Sequence, residues 1–238
     1  MRLQCVVKNK IDWDAELTTS SKNPFPLAPR DLQDRGLVTP ENYRVQNRRL
    51  TRFCTQTMMS ELKVVVAGTR MQIAGFGIGR DVQQWLPRAV REFGCSVDIL
   101  DTSEVACENA RRFLRYHGLV RRVKVAHADV EEYWSVGEVP EVVFIGQGFI
   151  QTQDDTTKDR MLGYLGTSLP EDGVVYLLHA RGEDNPRSRV RWGKSTPYTD
   201  TEIRAPLEEG AGGQVVMQVL GKHQYYHQKY TLLRIGRA

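Results

Sequence analysis

Long apolar runs are missing from this chain of 238 residues. A helix that crosses a bilayer needs about 20 consecutive apolar residues, and no stretch of the sequence approaches that length. The first residues, MRLQCVVKNKIDWDAE, contain only a short apolar stretch before acidic residues begin, which is not the pattern of a secretory signal. We therefore expect a soluble, cytoplasmic protein without a membrane partner.

Cysteines are few and widely separated. Cys5, Cys54, Cys95 and Cys107 form no CxxC pair and have no histidine at ligand spacing. A disulfide framework and a structural zinc site are therefore not expected, and we predict no metal site.

A strong excess of charge is also lacking. The chain has 33 Lys and Arg against 29 Asp and Glu, so its formal net charge is +4, which does not by itself predict a nucleic acid partner. Hydrophobic residues make up 40% of the chain, enough for a folded core.

The pattern changes near residue 62. Before that point the chain is broken by Pro24, Pro26, Pro29 and Pro40, and we predict an N-terminal extension over residues 1–62 that ends in a helix beginning at Pro40. This extension is a candidate lid. From about residue 63, short apolar runs alternate with amphipathic ones, as is typical of parallel strands joined by crossover helices.

Five strands, three helices and a terminal strand pair are predicted in this second part. Pro87 is expected to kink the first helix, and the last two strands are expected to pair antiparallel at the edge of the sheet. The predicted strands are Met71–Ala74, Val97–Leu100, Val123–Ala126, Val142–Ile145, Val174–Leu178, Gln214–Leu220 and Lys229–Ile235, and the helices are Arg80–Phe93, Glu104–His117 and Thr157–Thr167.

A glycine-rich loop follows the first predicted strand. In MQIAGFGIGRD the strand leads directly into Gly75, Gly77 and Gly79. Glycines here allow a tight turn and let a ligand approach the backbone, while free amides at the start of the helix face it. The dinucleotide pattern GxGxxG would need glycine where Arg80 stands, which disfavours a nicotinamide or flavin cofactor.

Acidic residues follow the next two predicted strands. Asp101 ends the strand VDIL, 26 residues after Gly75, where a carboxylate can accept hydrogen bonds from both ribose hydroxyls of a nucleoside. The alternative is that it caps the helix beginning at Glu104. Asp129 follows the third strand, where it can accept from an adenine amino group, with a simple loop as the alternative.

In their order and spacing these motifs resemble those of the class I S-adenosylmethionine-dependent methyltransferases, from about residue 63 to the end. The resemblance rests on IAGFGIG, DILDTSE, AHADVEEY and LPEDGVVYLL. It implies an α/β fold with a Rossmann-like, seven-stranded, mostly parallel sheet, an antiparallel C-terminal hairpin, helices on both faces and an N-terminal helical extension. Residues 63–238 would form the S-adenosylmethionine-binding domain.

The resemblance also implies roles for individual residues. The glycine loop would line the methionine part of S-adenosylmethionine, Asp101 would hold its ribose, and Asp129 would contact its adenine. Gly146 and Gln147, directly after the fourth strand, would lie beside the reactive methyl group. The expected cofactor site comprises Gly75, Phe76, Gly77, Gly79, Asp101, Thr102, Asp129, Val130, Gly146 and Gln147.

Two positions depart from the family pattern. Most members carry an acid two residues before the first glycine, where it helps to orient the cofactor's amino group, and here that position is Ile73. Weaker binding, a substitute from the N-terminal segment or loss of activity would each account for this difference. After the fourth strand, IGQGF replaces the (N/D)PP(Y/F) of many enzymes that methylate DNA bases or glutamine amides, which argues against those substrates.

Candidates for the acceptor chemistry lie near the fifth strand and in the terminal hairpin. His179 is the predicted general base, with a structural histidine as the alternative, and His223 and His227 are further candidates. A base is needed only where the acceptor is protonated at the working pH. Guanidinium pairs with carboxylate or phosphate and indole stacks on aromatic groups. The predicted substrate contacts are Tyr43, Arg181 and Trp192.

We expect an enzyme that transfers a methyl group from S-adenosylmethionine to a small molecule by in-line displacement. One alternative is a protein of the same fold that binds the cofactor without turnover, motivated by Ile73. Another is an aminopropyltransferase, for which Asp154 and Asp155 would offer acids to a polyamine. A third is an RNA-directed methyltransferase, motivated by basic runs at 44–52, 111–124 and 181–194.

Overall fold

The computed structural model describes residues 39–65, 67–77, 79, 81–137, 139–147, 149–181, 198–225 and 228–238. Its strands are β1 (Arg70–Ala74), β2 (Ser96–Asp101), β3 (Val123–His127), β4 (Val142–Ile145), β5 (Val174–Arg181), β6 (Val215–Tyr225) and β7 (Gln228–Arg237).

Within this part of the chain, all seven strands join in one sheet with the order β3-β2-β1-β4-β5-β7-β6. Strands β1 to β5 run parallel to one another, and β7 runs antiparallel to both of its neighbours. The expected mostly parallel sheet with an antiparallel C-terminal hairpin is therefore confirmed.

Helices cover both faces of the sheet, as predicted. One core cluster joins the sheet to α1 (Pro40–Leu62), α2 (Leu86–Arg91) and α3 (Glu104–Tyr116). The other joins it to α4 (Val130–Ser135), α5 (Asp155–Ser168) and α6 (Asp200–Ala211), and a short 3₁₀ turn, Ile150–Thr152, follows β4.

Strand β4 has an uninterrupted apolar sequence because helices cover both of its faces. Val142 and Phe144 belong to the first cluster, whereas Val143 and Ile145 belong to the second. Side chains alternate across a strand, so a strand covered by helices on both faces buries every position, and all four residues of β4 are buried.

Helix α3 begins and ends at local signals. Ser103 Oγ accepts a hydrogen bond from the Ala106 amide at 3.1 Å, which makes Ser103, not Asp101, the N-cap. Gly118 follows the helix with φ of 64°, a conformation that glycine adopts without strain. The predicted helix is confirmed to within one residue.

Helix α2 is shorter than predicted and is not kinked. We expected Arg80–Phe93 with a bend at Pro87, but the helix spans Leu86–Arg91 with Pro87 in its first turn. A proline is tolerated there because the amide it lacks would have no helical partner. Pro87 therefore fits into the first turn of α2 and does not interrupt the helix.

Helices α4 and α6 were not predicted. The Thr199 side chain accepts from the Glu202 amide at 3.2 Å, and the Glu202 carboxylate accepts from the Thr199 amide at 2.8 Å, which is a capping box. The T-x-x-E signature of this box is present in the sequence. Pro206 lies inside α6, although proline is disfavoured in a helix interior.

Helix α1 packs directly on the sheet. Leu50, Cys54, Met58 and Leu62 are buried in the first core cluster, while Val45 is 38% exposed. Residues 1–38 lie outside the described part, so the lid and the domain boundary at residue 62 stay predictions.

Candidate functional site

The carboxyl ends of β1 and β4 lie side by side at the point where the strand order reverses. Strand β1 pairs with β2 on one side and with β4 on the other, and the loop that begins at Gly75 diverges there from the loop that begins at Gly146. Ligands of open α/β sheets bind in the crevice outside the strand ends at such a switch point.

Asp101 and Gly77 form one side of this crevice. Asp101 Oδ2 accepts from the Gly77 amide at 2.9 Å, and Oδ1 accepts from the Ser103 amide at 2.9 Å. A Cβ added at Gly77 would meet no atom of the described residues within 4 Å. The structure thus places a fixed carboxylate next to backbone that faces open space.

The other two glycines of the loop accommodate aromatic rings. A Cβ at Gly75 would lie 2.3 Å from Cδ2 of Phe149, and one at Gly79 would lie 2.2 Å from Cζ of Phe76. Phe76 itself is buried in the core. Packing therefore accounts for these two glycines, and their predicted contact with a ligand stays a prediction.

Asp81 connects the loops that follow β1 and β4. Its Oδ2 accepts from the Gln147 amide at 2.7 Å, and a Cβ at Gly146 would lie 2.6 Å from the same oxygen. Burial raises the pKa of Asp81 to about 6, although backbone amides of Gln147, Asp81 and Val82 favour the ionised form. No cationic side chain among the described residues contributes to this pKa.

Sequence reasoning did not identify Asp81 or Phe149 as site residues. For Asp81 a signal was available, because an acid directly follows the glycine loop in GFGIGRD. For Phe149 the sequence offered none.

Asp129 lies at the tip of β3, as expected, and has a structural role there. It is the N-cap of α4, with Oδ1 accepting from the Glu131 amide at 2.9 Å. Val130 is 1% exposed and belongs to the core. Thr102 is exposed, and its carbonyl lies 2.9 Å from His127 Nε2. The predicted cofactor contacts of these residues stay predictions.

Gln147 lies between the crevice and the hairpin. Its side chain is exposed, and Nε2 donates to the Tyr230 hydroxyl of β7 at 3.3 Å. This bond connects the loop after β4 to the hairpin strand that closes the sheet.

His179 is completely buried on β5. Its exposed fraction is 0%, and Nε2 lies 3.9 Å from Asp200 Oδ1 in the first turn of α6. A general base must reach the proton that it removes, and this placement gives His179 no exposed surface. Its catalytic role stays a prediction.

The remaining candidates fall into two groups. His223 stacks on Phe53 of α1 with ring centroids 5.5 Å apart, and burial lowers its pKa. His227, Trp192 and the side chains of Tyr43 and Arg181 lie outside the described residues.

Asp154 and Asp155, the two acids considered as a binding site for a polyamine, accept hydrogen bonds from groups of the protein itself. Asp154 is the N-cap of α5, where Oδ1 accepts from the Thr157 amide at 3.0 Å. Asp155 Oδ1 accepts from the Tyr198 hydroxyl at 3.2 Å. Neither contact favours the aminopropyltransferase alternative.

In the part of the chain that the structure describes, no group of three or more His, Cys, Asp or Glu residues is placed to hold a metal ion. No helix in that part is long and apolar enough to cross a membrane.

Comparison with solved structures identifies the fold. No protein-family model matches the chain, and no curated protein sequence matches it. The S-adenosylmethionine-dependent methyltransferase SibL in its apo form is 15% identical, with a TM-score of 0.61 over 97% of this chain and 71% of that protein. An O-methyltransferase family protein from Burkholderia thailandensis is 17% identical, with a TM-score of 0.56 over 81% of this chain. The matched part of this chain spans only 58% of that protein's length.

A protein named for a different reaction has the same architecture. The [4+2]-cyclase SpnF is 15% identical, with a TM-score of 0.57 over 79% of this chain and 81% of that protein. The chain therefore has the fold of the class I S-adenosylmethionine-dependent methyltransferases, as the sequence motifs indicated. The fold alone does not specify the reaction.

Proposed function

We propose that this chain binds S-adenosylmethionine and transfers its methyl group to a small-molecule acceptor. The observation that carries the proposal is the placement of Asp101, held by the Gly77 amide at 2.9 Å beside open backbone at the switch point. A carboxylate at the tip of β2 is suited to the two hydroxyls of a ribose.

The residues present fit this cofactor. Each Asp101 oxygen accepts a backbone hydrogen bond, so the carboxylate is already fixed in place at the tip of β2. Among the residues that the structure describes, none occupies the position beside Gly77 that a Cβ would fill. When bound, S-adenosylmethionine supplies an electrophilic methyl carbon on a sulfonium sulfur.

The chain's own contribution is then mainly alignment. Holding donor and acceptor in line and excluding water lowers the barrier by up to about 7–11 kcal/mol. Because His179 is completely buried, we propose that the acceptor reacts without this histidine as its base. The name of the Burkholderia thailandensis protein supports an oxygen atom as the acceptor.

The test begins with calorimetric titration of the protein with S-adenosylmethionine and S-adenosylhomocysteine. We expect saturable binding of both, lost in Asp101→Ala and kept in Asp98→Ala, a matched change on the same strand. A panel of phenols, carboxylic acids and amines is then assayed for formation of S-adenosylhomocysteine and of methylated product. No binding to the wild type at millimolar ligand would overturn the proposal.

A second candidate function is cofactor binding without methyl transfer. The cyclase name of SpnF supports it, because that protein shares the fold. Tight binding of S-adenosylmethionine together with no methylated product across the whole panel would favour this candidate.

A further inference from the structure

The carboxyl-terminal end of α3 carries exposed aromatic and basic side chains. Tyr116, the last residue of the helix, is 86% exposed. We propose that this surface binds single-stranded nucleic acid, with Tyr116 stacking on a base and the arginines around it contacting phosphates. The inference does not depend on the proposed function. The α3-end surface comprises Tyr116, Arg91, Arg112, Arg115, Arg121 and Arg122.

The α3-end surface lies far from the crevice. Helix α3 begins at Glu104, directly after the carboxyl end of β2, and its 13 residues run back for about 20 Å. The chain then enters β3, which is parallel to β2. The surface is therefore at the amino edge of the sheet, opposite the candidate cofactor site, and a nucleic acid bound there would leave that site open.

Tyr116 offers its ring to solvent. The ring centroid lies 5.0 Å from that of His117 at an interplanar angle of 87°, and His117 lies 4.5 Å from Phe113, which packs against the core. These contacts support Tyr116 from the protein side while most of the residue stays exposed. Base stacking on such a ring tolerates any sequence, because every base has a π-face.

Two arginines of the same helix flank this ring. Arg112 stands four residues before Tyr116, which places the two side chains next to each other on a helix. The Arg112 and Arg115 side chains are 70% and 60% exposed, and both donate to Glu108. Exposed ion pairs stabilise a protein little, so these guanidinium groups are available to a phosphate, which they can bind through two parallel hydrogen bonds.

Helix α2 and the turn after α3 join the same surface. Arg91 donates to the His117 carbonyl, and Arg122 Nη1 donates to the Val90 carbonyl at 3.4 Å. The carboxyl end of a helix carries partial negative charge, which would repel a phosphate. Because the Arg91 guanidinium contacts the carbonyl that follows α3, it offsets that repulsion.

Three arginines of the surface keep their full charge. Arg91, Arg121 and Arg122 are exposed, and among the side chains that the structure describes, no acidic one forms an ion pair with them. The acid next to Arg91 in the chain is Glu92, which pairs with Arg88 at 2.7 Å.

Acidic residues of this edge lie on its other half. Glu141 precedes β4, and Glu171 and Asp172 precede β5, and all three are exposed. Since β4 and β5 lie on the far side of β1 from β2 and β3, the amino edge is basic at the α3 end and acidic further along. This polarity directs a polyanion toward the α3-end surface.

The combination of groups favours a single strand over other anions. An acidic peptide would complement the arginines but would leave Tyr116 without an aromatic partner. A duplex offers phosphates but keeps its bases stacked on one another. A single strand supplies phosphates and free base faces together, which is the pairing that nucleic acid channels of this kind use.

The experiment is fluorescence anisotropy with a labelled oligouridylate of about 12 nucleotides and a DNA duplex of the same length. We expect binding of the single strand at low salt and a steep loss of affinity as salt rises. Tyr116→Ala should weaken single-strand binding by about 5- to 100-fold, whereas Tyr116→Phe, which keeps a ring, should not. Duplex binding should be unaffected by either change.

A charge-matched pair of triple variants tests the arginines. Replacing Arg112, Arg115 and Arg121 together by serine should reduce the slope of log affinity against log salt by about 2, since each phosphate contact of a single strand contributes about 0.7. The control replaces Arg48, Arg49 and Arg52, which are exposed on α1. That helix lies against β6 at the opposite end of the sheet, and its variant should bind like the wild type.

The other outcomes overturn the inference in distinguishable ways. No binding of the single strand at low salt would remove it directly. Equal losses in the two triple variants would reduce the effect to net charge, and unchanged binding in Tyr116→Ala would exclude stacking. Displacement by polyglutamate as readily as by unlabelled RNA would make the surface a general anion site. S-adenosylhomocysteine titration of the same variants reports on the proposed function separately, because these residues lie outside the crevice.

Discussion

The Gly77 amide donates to Asp101 Oδ2 at 2.9 Å, across 24 positions of the sequence. The bond joins the loop after β1 to the tip of β2, so the glycine loop and the acid form one unit. The Gly77 N–H points at the carboxylate, and the side where a Cβ would project is empty of described residues.

A first prediction concerns this empty side. Gly77→Arg places a long side chain in the open space, and we expect it to abolish S-adenosylhomocysteine binding. The matched control is Gly118→Arg at the end of α3, where φ is 64° against 54° at Gly77 and an added Cβ also meets no described atom within 4 Å. Both variants pay the cost of a positive φ, about 1 kcal/mol, but calorimetry should show lost binding only for Gly77→Arg. Equal binding by the two variants would place the ligand elsewhere.

The candidate site could be located from the sequence because its signals are local. Gly77, Asp101 and Asp129 each lie at or just after the carboxyl end of a strand, and the carboxyl ends of parallel strands meet at one edge of the sheet. Asp81 and Phe149 were missed because their contacts form between loops. The Asp81 bond to Gln147 spans 66 positions, and only the strand order brings its two ends together.

The fold was predictable to a similar extent. Strand β4 was placed correctly from its apolar run, and α3 from its caps. Helix α6 was missed because Pro206 removes the amide that would bond the Glu202 carbonyl, and the replacement donor is Lys158, 44 positions earlier. Such compensation is tertiary and leaves no local trace in the sequence.

Lys158 provides the second prediction. Its side chain is 4% exposed, Nζ donates to the Glu202 carbonyl at 3.2 Å, and Nζ lies 4.4 Å from the centroid of the Tyr198 ring. Lys158→Met should lower the free energy of unfolding by about 1–3 kcal/mol, because the part-buried Glu202 carbonyl loses the hydrogen bond from Lys158.

A double-mutant cycle tests the reason for that loss. Pro206→Ala introduces an amide that can bond the Glu202 carbonyl within the helix, so Lys158→Met should cost less in this background. Denaturant unfolding of the four proteins measures the coupling. Costs that simply add would show that Lys158 stabilises the protein in some other way.

Close packing of α5 against α6 gives the third prediction. A Cβ at Gly166 would lie 2.3 Å from the Leu207 carbonyl oxygen, whereas one at Gly163, on the same helix, would lie 3.8 Å from its nearest neighbour. Gly166→Ala should therefore destabilise the protein by about 1–3 kcal/mol through overpacking. Gly163→Ala should be neutral or should stabilise it by about 0.5–1 kcal/mol, since alanine suits a helix better than glycine. Thermal unfolding distinguishes the two, and a similar Tm for both variants would contradict the prediction.

The raised pKa of Asp81 leads to a fourth prediction, on stability against pH. Its pKa is about 6 in the folded protein against an ordinary value of 3.8, so the folded state binds this proton more tightly than the unfolded chain. The resulting stabilisation is fully present below pH 3.8 and is lost as the pH rises through about 6.

Above that pH the wild type carries a partly buried charge that Asp81→Asn lacks. The Tm of Asp81→Asn minus that of the wild type should therefore rise between pH 5 and pH 7.5, by up to about 5 °C, and then level off. Other titrating groups are common to both proteins and cancel in this difference. A difference that stays constant across the range would mean that Asp81 has the same pKa in the folded and unfolded states.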